Sequence, residues 1–279
     1  MPLVSTAEIV GSAWRAGVGV LACNVVTLEH AEAIVAGAAR AGAPMILQVS
    51  HNCIDYHGGL EPIALAMLAV ARHAPGPVAV HLDHARTADL VREAVALGIG
   101  SVMFDASDLD DETNVAETRR VTQECHRQGV WVEAELGEVG GKDGVHSATA
   151  RTDPAAAARY VAETGVDSLA VAVGSSHARP TRDAALDLEL VGRLHAAVPV
   201  PLVLHGSSSV PDVGLKAAVV AGLTKINIAT QLNRVFTAGL RRQLAEQPDA
   251  SDPRPYLAVG RDAIASEVER LQRVLSSFS

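Results

Sequence analysis

Val78-Ala79-Val80-His81-Leu82 runs straight into Asp83-His84. Apart from His81 the run is apolar throughout. A strand with one face in water would alternate polar and apolar residues, so this one reads as buried on both faces. Seven further runs share its form: Gly17–Ala22, Met45–Val49, Ser101–Phe104, Val130–Glu135, Ser168–Val173, Pro201–Leu204 and Lys225–Ile228. Between them lie Ala-rich stretches with helical spacing, such as Leu28–Ala41, which places Ala31, Ile34, Val35 and Ala38 on one face. Eight such βα units predict a parallel sheet covered by helices, and the count favours a closed (β/α)8 TIM barrel, an α/β fold. A doubly wound open sheet usually carries an early G-x-G-x-x-G, and this chain has none.

A chain of 279 residues has room for two domains at about 150 residues each. No shift in composition marks a boundary, so the expectation is one barrel domain over residues 1–279. Ala74-Pro75-Gly76-Pro77 and Val198-Pro199-Val200-Pro201 punctuate the chain ahead of the third and seventh runs. Gln247–Pro255 reads as a loop before a last helix, Val259–Leu275.

Acidic residues outnumber Lys and Arg by 32 to 23, a net charge of −9, and only 3% of residues are aromatic. Without a basic patch or a stacking platform, nucleic acid is excluded as an expected partner. Three cysteines without C-x-x-C spacing, and a start lacking a basic segment before a long apolar run, predict a soluble cytoplasmic protein with reduced thiols. Its apolar stretches are too short to span a bilayer.

In a (β/α)8 barrel the chemistry sits where strands end, because the βα loops converge on one face there. At or just past the eight runs stand Cys23-Asn24, Ser50-His51-Asn52, Asp83-His84, Asp105, Glu135, Ser175-Ser176-His177, His205-Gly206-Ser207-Ser208 and Asn227–Thr230. Any one of these histidines taken alone reads as a hydrogen-bonded structural residue. Together, His84, His177 and His205 supply three imidazoles from three strand ends, the ligand set of a catalytic zinc with one position left for substrate. His81, two residues from Asp83, reads as a core residue or one that supports a ligand, and the remaining histidines as surface or loop residues. Asp83 either exchanges a proton with an oxygen held at the metal or orients an imidazole. Asp105 and Glu135 read as a second metal position or as interior carboxylates paired with a cation. His205–Pro211 and Asn227–Thr230, rich in small residues and hydroxyls and the latter just ahead of a helix, suit an anion such as phosphate.

The ordered series His81-Leu82-Asp83-His84, Ser101–Ser107, Val132-Glu133-Ala134-Glu135-Leu136-Gly137, Gly174-Ser175-Ser176-His177, Leu204–Ser208 and Lys225–Thr230 resembles the motifs of class II, zinc-dependent fructose-bisphosphate and tagatose-bisphosphate aldolases. The resemblance runs from Asn24 to Asp252-Pro253-Arg254, nearly the whole chain. It implies His84, His177 and His205 as ligands of Zn2+, with Asp105 and Glu135 at a second metal position found in some members. Asp83 then donates the proton to the aldehyde-derived oxygen. Ala178, Gly206, Ser207, Ser208, Asn227, Ile228, Ala229 and Thr230 hold dihydroxyacetone phosphate, Asn24 and Ser50 line the substrate site, and a monovalent cation has a place near the phosphate. Arg254 matches an arginine that reaches the distal phosphate from a neighbouring subunit, which implies a homodimer or homotetramer. The implied activity is reversible cleavage of a ketose 1,6-bisphosphate, foremost fructose bisphosphate, into dihydroxyacetone phosphate and an aldehyde. The alternatives are tagatose bisphosphate, another phosphorylated ketose, or a catalytically impaired sugar-phosphate binder.

The chain departs from that pattern in the loop after Glu135 and at Ala178, Ser207 and Ser209. Members often carry a glutamate just beyond a Gly-Gly pair in the loop after Glu135, and it takes the C3 proton. Here the stretch is Gly140-Gly141-Lys142-Asp143-Gly144, which leaves Asp143, Glu138 or water for that role. Ala178, Ser207 and Ser209 stand where the family has glycines, adding side chains where backbone N–H groups approach phosphate. No strand end offers a Schiff-base lysine, because Lys225 opens its run and so belongs at the opposite rim.

Overall fold

A computed structural model describes residues 2–136, 151–175 and 181–276. Eight parallel strands close into a barrel in chain order: β1 (Val20–Asn24), β2 (Met45–Ser50), β3 (Val78–Ala85), β4 (Ser101–Phe104), β5 (Trp131–Glu135), β6 (Ser168–Ala170), β7 (Leu202–Leu204) and β8 (Leu223–Ile228), with β8 pairing back onto β1. The helices are α1 (Thr6–Ala16), α2 (Leu28–Ala41), α3 (His51–His57), α4 (Glu61–Arg72), α5 (Ala88–Leu97), α6 (Asp111–His126), α7 (Pro154–Thr164), α8 (Leu188–Ala197), α9 (Asp212–Ala221), α10 (Thr230–Glu246) and α11 (Pro253–Ser276). The (β/α)8 expectation from the apolar runs therefore holds.

Alternation along each strand divides the buried residues into two populations. Leu21, Leu47, Leu82, Val132, Leu204 and Ile226 join the large apolar layer beneath the helices. Residues between them in the strands face the barrel interior. At its N-terminal end Val20, Ala22, Ile46 and Ala79 pack on Ile9, Val10 and Ala13 of α1, which plugs the barrel. Higher up, the interior turns polar: Gln48, His81, Ser101, Glu133, Ser168 and Lys225 are all fully buried. That polar layer supports the rim where the strands end.

Some boundaries differ from the expected ones. The first strand starts at Val20, because Gly17 takes a left-handed conformation (φ 64°) as the C-cap of α1. The last helix begins at Pro253, inside the stretch expected as a loop, with proline pre-set for the first helical turn. Lys225 lies in mid-β8, not at the far rim, because that strand begins at Leu223. His30, expected at the surface or in a loop, is buried in α2 against Phe236. Among the described residues no helix is long and apolar enough to cross a membrane.

Candidate active site

Two consecutive residues of β3, Asp83 and His84, serve the same site. A regular strand forbids this, since its side chains alternate between faces. The ladder to β4 loses register between Leu82 and Ala85, and His84 sits at φ 54°, the one non-glycine residue with positive φ among those described. Such a conformation costs of order 1–3 kcal/mol, and an irregular strand end of this kind re-aims a side chain. Here it turns His84 toward His205, at the end of β7, while Asp83 stays inward. One ligand atom each of Asp83, His84 and His205 lies within 4.8 Å of the other two, and His84, Asp105 and Glu135 form a second such group.

Both imidazoles are held from behind. His84 donates through Nδ1 to Asp105 Oδ2 (2.7 Å), and Asp105 Oδ1 accepts from the Ser107 hydroxyl (2.6 Å) and N–H (3.2 Å). His205 donates through Nε2 to Glu133 Oε1 (3.1 Å), whose other oxygen accepts from Lys225 Nζ (2.9 Å). The remaining nitrogens, His84 Nε2 and His205 Nδ1, face each other at 3.1 Å. Asp83 is steadied by amides: Asn24 Nδ2 donates to Oδ2 (3.1 Å), as does Gln48 Nε2 (3.3 Å), and Gln48 also bonds Asn24 Oδ1 (2.8 Å). Deeper in the barrel, His81 is bonded to Ser101.

The charges explain the protonation pattern. Burial alone would raise Asp83, but His84, His205 and Lys225 nearby outweigh it and hold its carboxyl below the usual range. Burial would lower His84, yet Asp83 beside it and the bond to Asp105 push it up to about 9. Asp105, although buried, is held well below the ordinary carboxylate range by its bond to His84 and its attraction to that ring. Glu135 is pushed up to about 8, first by burial and then by Asp105.

Beside this cluster, Gly206 adopts φ 66° at the end of β7 and leads into the 3-10 turn Ser207–Ser209. Ser208 Oγ accepts from the N–H groups of Ala229 (3.3 Å) and Gln231 (3.2 Å), tying that turn to the start of α10 at Thr230. Ser207 points inward instead: it is fully buried and donates to Leu204 O (2.9 Å). Ile228 likewise packs its side chain in the core, leaving its backbone for any contact with ligand. Asn227 is buried against His205, with Nδ2 3.0 Å from Nε2. Ser50 closes β2 and is the N-cap of α3. Arg254, 88% exposed near the start of α11, is forked onto Asp252. His177, Ala178 and Asp143 lie outside the described residues.

Sequence reasoning misses the supporting roles of three side chains, Gln48, Glu133 and Lys225. A signal existed: each is a polar residue in an otherwise apolar run, at even spacing from a rim residue, namely Ser50, Glu135 and Asn227.

The donor set suits a divalent metal. Nitrogens about 2.0–2.1 Å from one ion lie about 3 Å apart along an edge of its coordination shell, close to the His84–His205 separation. Asp83 Oδ1 and Glu135 Oε2 are buried without a hydrogen-bond partner, as oxygens reserved for a ligand would be. Over residues 4–278 the sequence matches the family of class-II fructose-bisphosphate aldolases. The chain belongs to that family. It is a carbon-carbon lyase with an aldolase's fold, from a family that uses a divalent metal and phosphorylated sugars. Among solved structures it is similar to the YdjI aldolase of Escherichia coli K12, at 30% identity and TM-score 0.87, covering 99% of this chain and 98% of that one. A Coccidioides immitis protein assigned as a fructose-1,6-bisphosphate aldolase is 26% identical at TM-score 0.84, over 98% and 96% of the two chains. The fructose-bisphosphate aldolase of Campylobacter jejuni shares the fold, with TM-score 0.80 at 23% identity over 98% and 95%.

Proposed function

We propose that the protein is a zinc-dependent aldolase that reversibly cleaves a ketose 1,6-bisphosphate, foremost fructose 1,6-bisphosphate, into dihydroxyacetone phosphate and an aldehyde. The observation carrying this reading is the pair of carboxylate-backed imidazoles 3.1 Å apart beside Asp83, at the strand-end rim of a class II aldolase barrel. His84 and His205, joined by His177, would hold the zinc, and Asp105 and Glu135 a second ion. When bound, zinc supplies a Lewis acid that stabilises negative charge developing on the ketone half of the substrate.

The chain's own residues do the rest. Asp83, fixed by Asn24 and Gln48, presents its unpartnered Oδ1 to the oxygen of the aldehyde half, donating a proton in synthesis and accepting one in cleavage. Asn24 and Ser50 line the substrate. The Gly206–Ser208 turn and Asn227–Thr230 bind the near phosphate through N–H groups and hydroxyls at the start of α10. Asp143 takes the C3 proton, and Arg254 binds the distal phosphate of a substrate held by a neighbouring subunit in a homodimer or homotetramer. One barrel domain over residues 1–279 houses all of this.

The test is chelator-sensitive cleavage across a panel of ketose mono- and bisphosphates that includes the C4 epimers, with metal content measured in parallel. About one equivalent of zinc and preferential cleavage of fructose 1,6-bisphosphate are expected. Preference for the tagatose epimer would reassign the substrate. Zinc binding with no cleavage of any ketose phosphate would overturn the catalytic reading in favour of a sugar-phosphate binder.

A further inference from the structure

Among the described residues Lys225 heads the fully buried side chains by volume, and its ion-pair partner Glu133 is also 0% exposed. Stability gives little reason for such a pair. Taking both charges out of water is costly, and apolar residues of similar volume in their place are commonly neutral or stabilising. Apolar neighbours are at hand, since Met103, Ala170 and Val203 form an apolar cluster of their own on β4, β6 and β7. What the pair does is visible in its bonds. Lys225 Nζ holds Glu133 Oε2 at 2.9 Å, and Glu133 Oε1 in turn holds His205 Nε2 at 3.1 Å. The proton on Nε2 leaves a lone pair on Nδ1, the atom that faces His84 Nε2.

Asp105 does the same for His84, and there Ser107 anchors the carboxylate. Lys225 takes the place of Ser107 in the barrel interior. We propose that Lys225 is a positioning residue that, by clamping Glu133, fixes the tautomer and orientation of His205 and presents its Nδ1 as a preorganised ligand for the divalent metal. This rests on the reading of His205 as a ligand.

The test uses the full chain stripped of metal. Zinc affinity is measured by competition with a chromophoric chelator, the His205 tautomer by long-range 15N–1H imidazole correlation, and stability by urea unfolding of the apoprotein. K225M is expected to weaken zinc binding about 10- to 100-fold and to populate both His205 tautomers. The E133L/K225M double variant guards against misfolding caused by a lone buried Glu133. It is expected to match or exceed wild-type apoprotein stability while losing affinity to the same degree. Zinc affinity within twofold of wild type in the double variant, or a single unchanged tautomer in K225M, would overturn the proposal, as would lost stability with unchanged affinity. H205A separates the two readings. If it loses the metal while K225M keeps it, only the positioning role fails; if it keeps the metal, His205 is no ligand and both readings fail.

Discussion

Metal loading should be steeply pH-dependent, because the atoms that would hold the ion hold a proton first. With its pKa raised to about 9, His84 is protonated at neutral pH, and its Nε2–H points at His205 Nδ1. A metal must displace that proton, so the apparent dissociation constant scales as one plus the ratio of proton concentration to the His84 acid constant. For a pKa of about 9 this factor is about 1,000 at pH 6 and about 11 at pH 8, so affinity should rise about 90-fold over that interval. From pH 8 to 9 only about a further fivefold remains. The assay is titration of stripped protein with zinc against a chelator whose own protonation is corrected at each pH. A change below about fivefold between pH 6 and 8 would refute the assignment of the proton to His84. The sign for stability runs the opposite way. Both His84 and Glu135 have folded pKa values above their ordinary ones, so their stabilising contributions are complete at low pH and are lost as pH rises through about 9 and about 8. The apoprotein Tm should therefore fall from pH 6 to 9, while the Tm gain on adding zinc widens.

Asp83→Ala should lower kcat by about 100-fold or more with modest change in KM, as for a group whose proton transfer matters in the transition state. A large rise in KM at unchanged kcat would contradict that role. Arg254→Ala should raise KM for a ketose bisphosphate while leaving proton exchange on dihydroxyacetone phosphate alone nearly unchanged; equal loss in both assays would detach Arg254 from the distal phosphate. Gly37→Ala, far from the rim, would put a Cβ 2.4 Å from Ala265 O and 2.8 Å from Val268 Cβ, forcing α2 away from α11. Urea unfolding should show a loss of about 1–3 kcal/mol with kcat retained.

The barrel was legible because burial on both faces suppresses alternation, and each of the eight apolar runs carries a strand. Leu28–Ala41 was legible to the residue, its apolar stripe ending at Gly42 in a left-handed C-cap. The short α3, which begins directly where β2 ends, had no comparable stripe to announce it. The rim histidines and carboxylates stood out as polar residues ending apolar runs. Their support did not. Counting its run from the lysine puts Lys225 at the wrong rim, because Leu223 and Thr224 precede it in the strand and carry it into the interior. Adjacent Asp83 and His84 were legible as rim residues of one site, but only the left-handed backbone at His84 reveals how two consecutive strand residues both reach it.

The charge within the site shows why a chain of net −9 can work on phosphorylated sugars. Asp83, Asp105, Glu133 and Glu135 gather around the two histidines, with Lys225 the one buried lysine among the described residues. The crowding is already felt, since Glu135 is held neutral up to about pH 8 by burial and by Asp105. A divalent cation held by the carboxylate-backed imidazoles would supply positive charge that Lys225 alone does not, close to the unpartnered oxygens of Asp83 and Glu135. With those carboxylates balanced, an anionic substrate would meet the N–H groups at the start of α10 and not a repelling wall. Metal binding and phosphate binding should therefore be coupled, each strengthening the other by the same factor. Inorganic phosphate should accordingly bind more tightly to the zinc-loaded protein than to the stripped one, and equal affinities in calorimetry would break the link between the two halves of the site.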